Sequence, residues 1–234
     1  YGGNATFGGY NASIKETGDI GWLAGAAFQI PDIALKASVT YRSEIEHSVN
    51  VKESFNSAGL FAALNAAPSL DTDITTPQSV NLDFQTGIMA NTVAFANVRW
   101  VDWSSFSIQP YKFGLASKSA AIQAQTGKSE FDLVAYTDDQ ISATVGVGRK
   151  LNDQWAGNVS VGWDSGAGNP VTTLGPTEGY WNVGLGAQFS PTPQTFIAGG
   201  VKYFWLGDAD AQPASMFDTN DSVAKFEDND AWGY

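Results

Sequence analysis

The chain has 234 residues with no Cys, one His (His47), 12 Lys plus Arg and 24 Asp plus Glu, a formal charge of −12 at pH 7. Without a thiol there is no disulfide framework, Cys-based zinc site or Cys nucleophile, a single imidazole rules out a multi-His metal centre, and no cofactor is called for. The acidic surplus opposes phosphate-backbone binding, so nucleic acid is not a partner, and 15% charged residues beside 13% aromatics and 25 Gly suit a protein whose solvent is not entirely water.

The most apolar stretch, GWLAGAAFQI (21–30), is far short of the ~18 residues a spanning helix needs. It reads instead as a strand, with Trp22, Ala24, Ala26, Phe28 and Ile30 on one face. The strongest signal follows. Between 33 and 52, eight of ten odd positions are apolar (Ile33, Leu35, Ala37, Val39, Tyr41, Ile45, Val49, Val51) and nine of ten even positions are polar. Period two is the signature of a strand with two different faces, and 20 residues at about 3.3 Å each would run about 66 Å, several times an ordinary strand.

The alternation recurs along the chain. Val80, Leu82, Phe84 and Ile88 share a face opposite Ser79, Asn81, Asp83 and Gln85. Residues 92–108 read as a strand whose parity fails at Trp100, Asp102 and Trp103, which predicts a bulge. Then come Ile141, Ala143, Val145 and Val147; Trp155, Val159, Val161 and Trp163; Trp181, Val183, Leu185, Ala187 and Phe189; and Ile197, Val201, Tyr203 and Trp205. Each opposes Gly, Ser, Asn or another polar residue for most of its length. Eight strands result.

Their connections alternate between short and long. Residues 30–33, 90–92, 150–154 and 190–194 are tight turns, whereas 53–77, 109–138, 165–178 and 208–222 are long. In an up-and-down antiparallel sheet every second connection lies at the same end, so the tight turns fall at one rim and the long loops at the other. That is the wiring of an outer-membrane barrel, with short periplasmic turns and long extracellular loops. The fold class expected is therefore all-β, an antiparallel up-and-down transmembrane barrel in the bacterial outer membrane. A secreted β-sandwich or solenoid would share the alternation but not the loop pattern.

TYRSEI (40–45), TPQSVNLDFQTG (76–87), VRWVDWSSF (98–106), GVGRKLNDQWAGNVSVGWD (146–164), YWNVGLGAQF (180–189) and IAGGVKYFWLGDA (197–209) resemble, in order and spacing, the FadL/TodX family of outer-membrane transporters for long-chain fatty acids and other hydrophobic compounds. The resemblance covers almost the whole chain. It implies a monomeric fourteen-stranded barrel plugged by an N-terminal hatch, in contact with outer-membrane lipid and lipopolysaccharide, and not an enzyme. On that pattern residues 1–234 form a C-terminal portion of one barrel domain, about eight strands and a stub beginning near Ala224, with the hatch and first strands preceding Tyr1.

Transport of such a molecule calls for apolar surface and, for a fatty acid, a partner for the carboxylate. In the loop 54–68, Phe55, Leu60, Phe61 and Leu64 recur near helical spacing and would form an apolar stripe. The resemblance makes this loop one wall of a capture groove, with Phe7, Tyr10 and Ile14 on its partner; the alternative is a stripe that caps the barrel. Arg42, Lys36, Glu44, Glu46 and Lys202 project toward the lumen, as does Arg99 if the bulge permits. Arg42 or Arg99 could meet a carboxylate, or join a lumenal salt-bridge ladder. The family's basic head-group contact before the strand near Gln140 has no Lys in Glu130–Ala135, and the nearest candidate is Lys128. Phe204 and Leu206 share the lumenal parity, which favours a hydrophobic conduit over a general diffusion porin or a purely structural barrel. The acidic loop residues, among them Asp71, Asp73, Asp132, Asp138, Asp139, Asp208, Asp210, Asp218 and Asp221, either solvate the loops or share divalent cations with lipopolysaccharide phosphates.

Overall fold

The structure is a computed structural model that describes residues 9–15, 17–56, 61–173, 175, 177–216, 219 and 221–234. In chain order it contains β1 (Tyr10–Ile14), β2 (Leu23–Ile30), β3 (Leu35–Arg42), β4 (Ile45–Phe55), β5 (Asp71–Thr76), β6 (Ser79–Met89) and β7 (Thr92–Val101). A loop follows with β8 (Ser107–Ile108), α1 (Tyr111–Ser117), α2 (Ala120–Thr126) and β9 (Val134–Ala135). Then come β10 (Gln140–Lys150), β11 (Trp155–Asp164), β12 (Val171–Thr172), β13 (Tyr180–Thr192), β14 (Thr195–Leu206), β15 (Ala209–Gln212), β16 (Ala224–Phe226) and β17 (Asp230–Gly233). Among the described residues no helix is long and apolar enough to cross a membrane.

Nine strands form one sheet in the order β2-β3-β6-β7-β10-β11-β13-β14-β17, every neighbouring pair antiparallel. Sequence neighbours are spatial neighbours, so the tight turns share one rim. Each turn has its own chemistry. Ala34 takes φ 51° after the short 3-10 turn Pro31–Ile33 and donates to the Pro31 carbonyl at 2.9 Å. Asn91 takes φ 58° in the β6–β7 turn, a left-handed conformation Asn tolerates better than most residues. At the next turn the Asn152 side-chain oxygen accepts the N–H groups of Gln154 and Trp155, both at 2.9 Å.

The register carries two rows of opposite character around the sheet. Phe28, Ala37, Phe84, Ala96, Val145, Val161, Val183, Tyr203 and Trp232 lie side by side across all nine strands. One position along, on the other face, run Ala27, Ser38, Asp83, Asn97, Thr144, Gly162, Asn182, Phe204 and Ala231. A one-residue slip of any strand would exchange the two faces, so the pattern fixes the pairing. The apolar face stays open: Phe28 is 62% and Leu185 63% exposed, which in water would be a liability and in lipid is the requirement. Aromatic residues mark both of its borders, Trp155 and Phe189 (4.8 Å between centroids) near the tight turns, and Trp163, Trp181 and Trp205 toward the loops.

Two sequence expectations need correction. The 33–52 segment is not one strand: β3 ends at Arg42 and β4 starts at Ile45. Arg42 pairs with Ser79 and Ile45 with Thr76, so the gap at 43–44 faces Pro77 and Gln78, where proline has no N–H to give the ladder. Tyr41 Oη donates to Gln78 Oε1 at 2.8 Å and Gln78 Nε2 to Asp102 Oδ2 at 2.9 Å, which fixes the junction. Beyond it β4 joins a second sheet, β1-β4-β5, so Glu44 lies in the gap and Glu46 beyond the wall. There the odd positions Val49, Val51 and Phe55 are buried rather than turned to lipid. Nor is there a bulge at Trp100. β7 is regular against β10 up to Val101, and the parity fails because Trp103–Ser105 is a 3-10 turn.

Candidate functional site on the inner wall

The polar face of the sheet gathers the basic residues. Lys36 and Arg42 lie on β3, Arg99 on β7 and Lys202 on β14, each on the same side as Asn81, Asp83 and Ser142 by register. Asn81 stands directly opposite Arg99, and its Oδ1 accepts the Arg42 Nη1–H at 3.0 Å. Arg42 is thus bonded to Asn81, and Arg99 is the ladder partner of the same residue.

Among the described residues no carboxylate pairs with them. Asp83, one row below, is occupied by Asn97 Nδ2 at 2.7 Å and the Ser38 hydroxyl at 3.4 Å. The ion pairs among the described residues are His47–Asp19, Lys118–Glu130, Lys150–Asp153 and Lys225–Asp210, none on the inner wall between its rims. Among the described residues no salt-bridge ladder braces this part of the wall. Arginine offers a planar fork of donors suited to a carboxylate and stays charged under all ordinary conditions.

Toward the tight-turn rim the inner face becomes a trough of about 960 Å³ lined by Val93, Phe95, Asn158, Ser160, Ala198 and Lys202 with several glycines. Phe95 reaches across its neighbour strand: a Cβ on Gly146 would lie 2.3 Å from its ring. Glycine there is what lets the aromatic ring lie against the wall.

The loop residues singled out from sequence sit in a cap above the wall. Phe55 and Phe61 are 3% and 2% exposed and share a cluster with Phe113, Ala116, Ile122 and Phe131, with Tyr10, Leu64 and Leu133 packed against it. Tyr10 stacks on Phe55 and Phe113, both at 5.3 Å. Asn65 pins the loop to β4 by pairing its side-chain amide with the N–H and carbonyl of Phe55, both at 2.8 Å. Glu53 holds α1 in place: its carboxylate accepts the N–H groups of Lys112 and Phe113 and the Tyr10 hydroxyl, all at 2.8 Å. Burial, then Glu53, pushes the Tyr10 phenol far above its ordinary range. Leu60 and Phe7 lie outside the described residues.

Lys128 follows α2, its N–H donating to Thr126 Oγ1 at 3.2 Å, and belongs to the loop rather than the wall. Phe204 and Leu206 do face inward, Phe204 edge-on to Tyr180 at 5.3 Å. Leu206 shares the row of Arg99 but stands four strands away, roughly 19 Å. Sequence reasoning brought Arg42 and Arg99 forward and missed Asn81 between them. Counting back from the turn at 90–91 would place Leu82 opposite Arg99; the register shift between Gly87 and Met89 puts Asn81 there instead, so this pairing could not be read from the sequence.

Among curated proteins none matches the sequence. The solved structures it resembles include a FadL homologue from Pseudomonas aeruginosa, with TM-score 0.57 and 16% identity over 82% of this chain and 45% of that one. Others are the CymD monoaromatic hydrocarbon channel (TM-score 0.47, 11% identity, 80% and 47% covered) and a TodX deltaS2S3 mutant monoaromatic hydrocarbon channel (0.49, 12%, 89% and 52%). At these identities the first likeness speaks for the fold alone, and the chain spans about half the length of each. The family model of the outer membrane protein transport proteins (OMPP1/FadL/TodX) matches residues 11–233. With a lipid-facing apolar sheet and a polar inner wall already in place, the chain belongs to this family of bacterial outer-membrane transport proteins.

Proposed function

We propose that the chain forms part of the wall of a barrel that takes up hydrophobic compounds across the outer membrane, long-chain fatty acids among them, with Arg42 and Arg99 receiving the carboxylate. The observation that carries the reading is the placing of two arginines on the inner face around Asn81, Arg42 bonded to it and Arg99 opposite it in the ladder, with no acidic partner among the described residues. A carboxylate there would gain charge-assisted hydrogen bonds, about twice as strong as neutral ones, and the trough below offers room for a chain. Further strands beside the edges β2 and β17 complete the wall in this reading, because an open sheet edge is not tolerated in hydrocarbon. Lys128 and the inward Phe204 and Leu206 enter it as contacts along the route. The cap takes part by opening, which frees Phe55, Phe61 and Leu64 as a first apolar surface.

The test is binding of a labelled long-chain fatty acid to the full-length protein in detergent. Replacing both arginines, Arg42→Gln with Arg99→Gln, is expected to weaken the acid about tenfold or more while leaving its methyl ester unchanged. Equal loss for acid and ester, or no loss for either, would remove the arginines from the site.

A further inference from the structure

The lipid-facing side of the wall carries a charge near its tight-turn border. Along β10 the outward positions are Ile141, Ala143, Val145, Val147 and then Arg149, whose ladder partners are Thr92 on β7 and Gly157 on β11 in an unbroken register. Arg149 is exposed, and among the described residues it makes no ion pair. The basic residue beside it, Lys150, belongs to the other face and pairs with Asp153 at 2.8 Å.

An arginine on that face is costly at the bilayer midplane and tolerable near an interface. Arg149 stands one outward row inside the border row of Trp155 and Phe189, roughly 7 Å along the strands. Its aliphatic stem can therefore lie on the apolar wall while the guanidinium reaches past the rings to head-group level. The tight-turn rim is the periplasmic one, and the leaflet on that side is phospholipid. A guanidinium matches a phosphate with its planar fork of donors.

The wall beside Arg149 is hollow. From Arg149 the same outward row runs through Gly157, Ala187 and Gly199, three strand spacings or roughly 14 Å. Ridges border it, with Val159, Leu185 and Val201 toward the bilayer centre and Trp155, Phe189 and Ile197 toward the turns. A Cβ on Gly199 would meet nothing within 4 Å, and one on Gly157 would lie 3.5 Å from the Gly186 carbonyl, an ordinary contact. Neither glycine takes a left-handed φ. Protein packing and backbone conformation thus leave both positions free for a side chain, and the row they keep open is a furrow between two apolar ridges.

We propose that Arg149 and this furrow bind one phospholipid of the periplasmic leaflet, with the phosphate on the guanidinium and an acyl chain along Gly157, Ala187 and Gly199. Charge complementarity commits the face to a phosphate-bearing lipid, because a second copy of the chain docked here would set Arg149 against apolar rows. The site lies on the outside of the wall and does not depend on the proposed uptake.

Native mass spectrometry of the full-length protein, delipidated in detergent and titrated with dioleoyl phosphatidylglycerol or with dioleoylglycerol, tests it. The phospholipid is expected to bind about tenfold more tightly than the diacylglycerol, the worth of a hydrogen-bonded charge. Arg149→Gln should erase that preference and Arg149→Lys should keep part of it, since a lysine offers the charge without the fork. Gly199→Leu, whose side chain enters open space, should weaken both lipids alike. Arg42→Gln with Arg99→Gln on the inner face should leave the preference unchanged. If Arg149→Gln fails to assemble, the ranking of the two lipids on the native protein and the Gly199→Leu result decide. Equal affinity for the two lipids, a preference that survives Arg149→Gln or disappears with the inner arginines, or no effect at Gly199 overturns the site.

Discussion

Glu53 sits on a strand face otherwise made of Val49, Val51 and Phe55, and its 6% exposure is tolerable because three donors converge on its two oxygens. Glu53→Ala leaves the Tyr10 hydroxyl and the N–H groups of Lys112 and Phe113 without that acceptor, at a cost of about 1–3 kcal/mol for an unsatisfied buried group. Amide exchange at Lys112 and Phe113 is expected to accelerate accordingly, with Glu53→Gln falling between the variant and the native protein; unchanged exchange in Glu53→Ala would show that the carboxylate holds nothing. Asp139 plays the matching part at the top of β7. Its carboxylate accepts the Ser104 hydroxyl at 2.6 Å and the Trp100 indole N–H at 2.9 Å, and these bonds, Ser104 first, hold its pKa below the ordinary range. A lowered pKa contributes stability that is present above the unfolded-state value and lost as pH falls through the folded-state one. Acidification below the usual carboxylate range is therefore expected to free the 103–105 turn, seen as a change in the near-ultraviolet circular dichroism of Trp100 and Trp103. Asp139→Asn should abolish that pH dependence, and persistence of the transition in the variant would assign it elsewhere.

At the scale of elements, the wall strands show what side-chain period alone can specify. Lys36, Ser38, Thr40 and Arg42 face inward and Leu35, Ala37, Val39 and Tyr41 outward, and a spin label at 39 should be reached by a lipid-soluble relaxant while one at 40 responds to a water-soluble one. Comparable accessibility at both would refute the two-faced strand. Val145→Lys, in the middle of the apolar row, is expected to cost about 2–4 kcal/mol of barrel stability if it lies near the bilayer midplane, measured by reversible unfolding in a bilayer. A cost near zero would place that row away from lipid.

The wall was legible because alternation and loop length both report on a sheet with two solvents. What was not legible needed long-range partners. The break at 43–44 depends on Pro77, more than thirty residues away, lying opposite it. The burial of Phe55 and Phe61 depends on α1 and α2 closing over them. Those helices did leave local traces, Pro110 and Ser119 at their starts and Gly127 at φ 70° at an end. For the site, the two arginines could be found by parity, whereas the lack of an acidic partner among the described residues emerges only once the register is known.

Over the whole molecule, charge is sorted by position. The long loops carry Asp132, Asp138, Glu178, Asp208 and Asp210, with Asp102 and Asp139 beside them, whereas the inner wall presents Lys36, Arg42, Arg99 and Lys202 around the single carboxylate of Asp83 among the residues of its mid-height rows. In the proposed uptake a solute from outside would meet these acidic loops first and the basic residues of the inner wall next, and the apolar rows on the other face suit a wall held in lipid. Uptake of a labelled long-chain fatty acid by cells that lack their own transporter and express the full-length protein tests the central claim most directly. Expression is expected to raise uptake several-fold over the empty vector, with Arg42→Gln plus Arg99→Gln removing most of the gain while the barrel still inserts. Uptake no higher than the empty vector from a correctly inserted native barrel would contradict it.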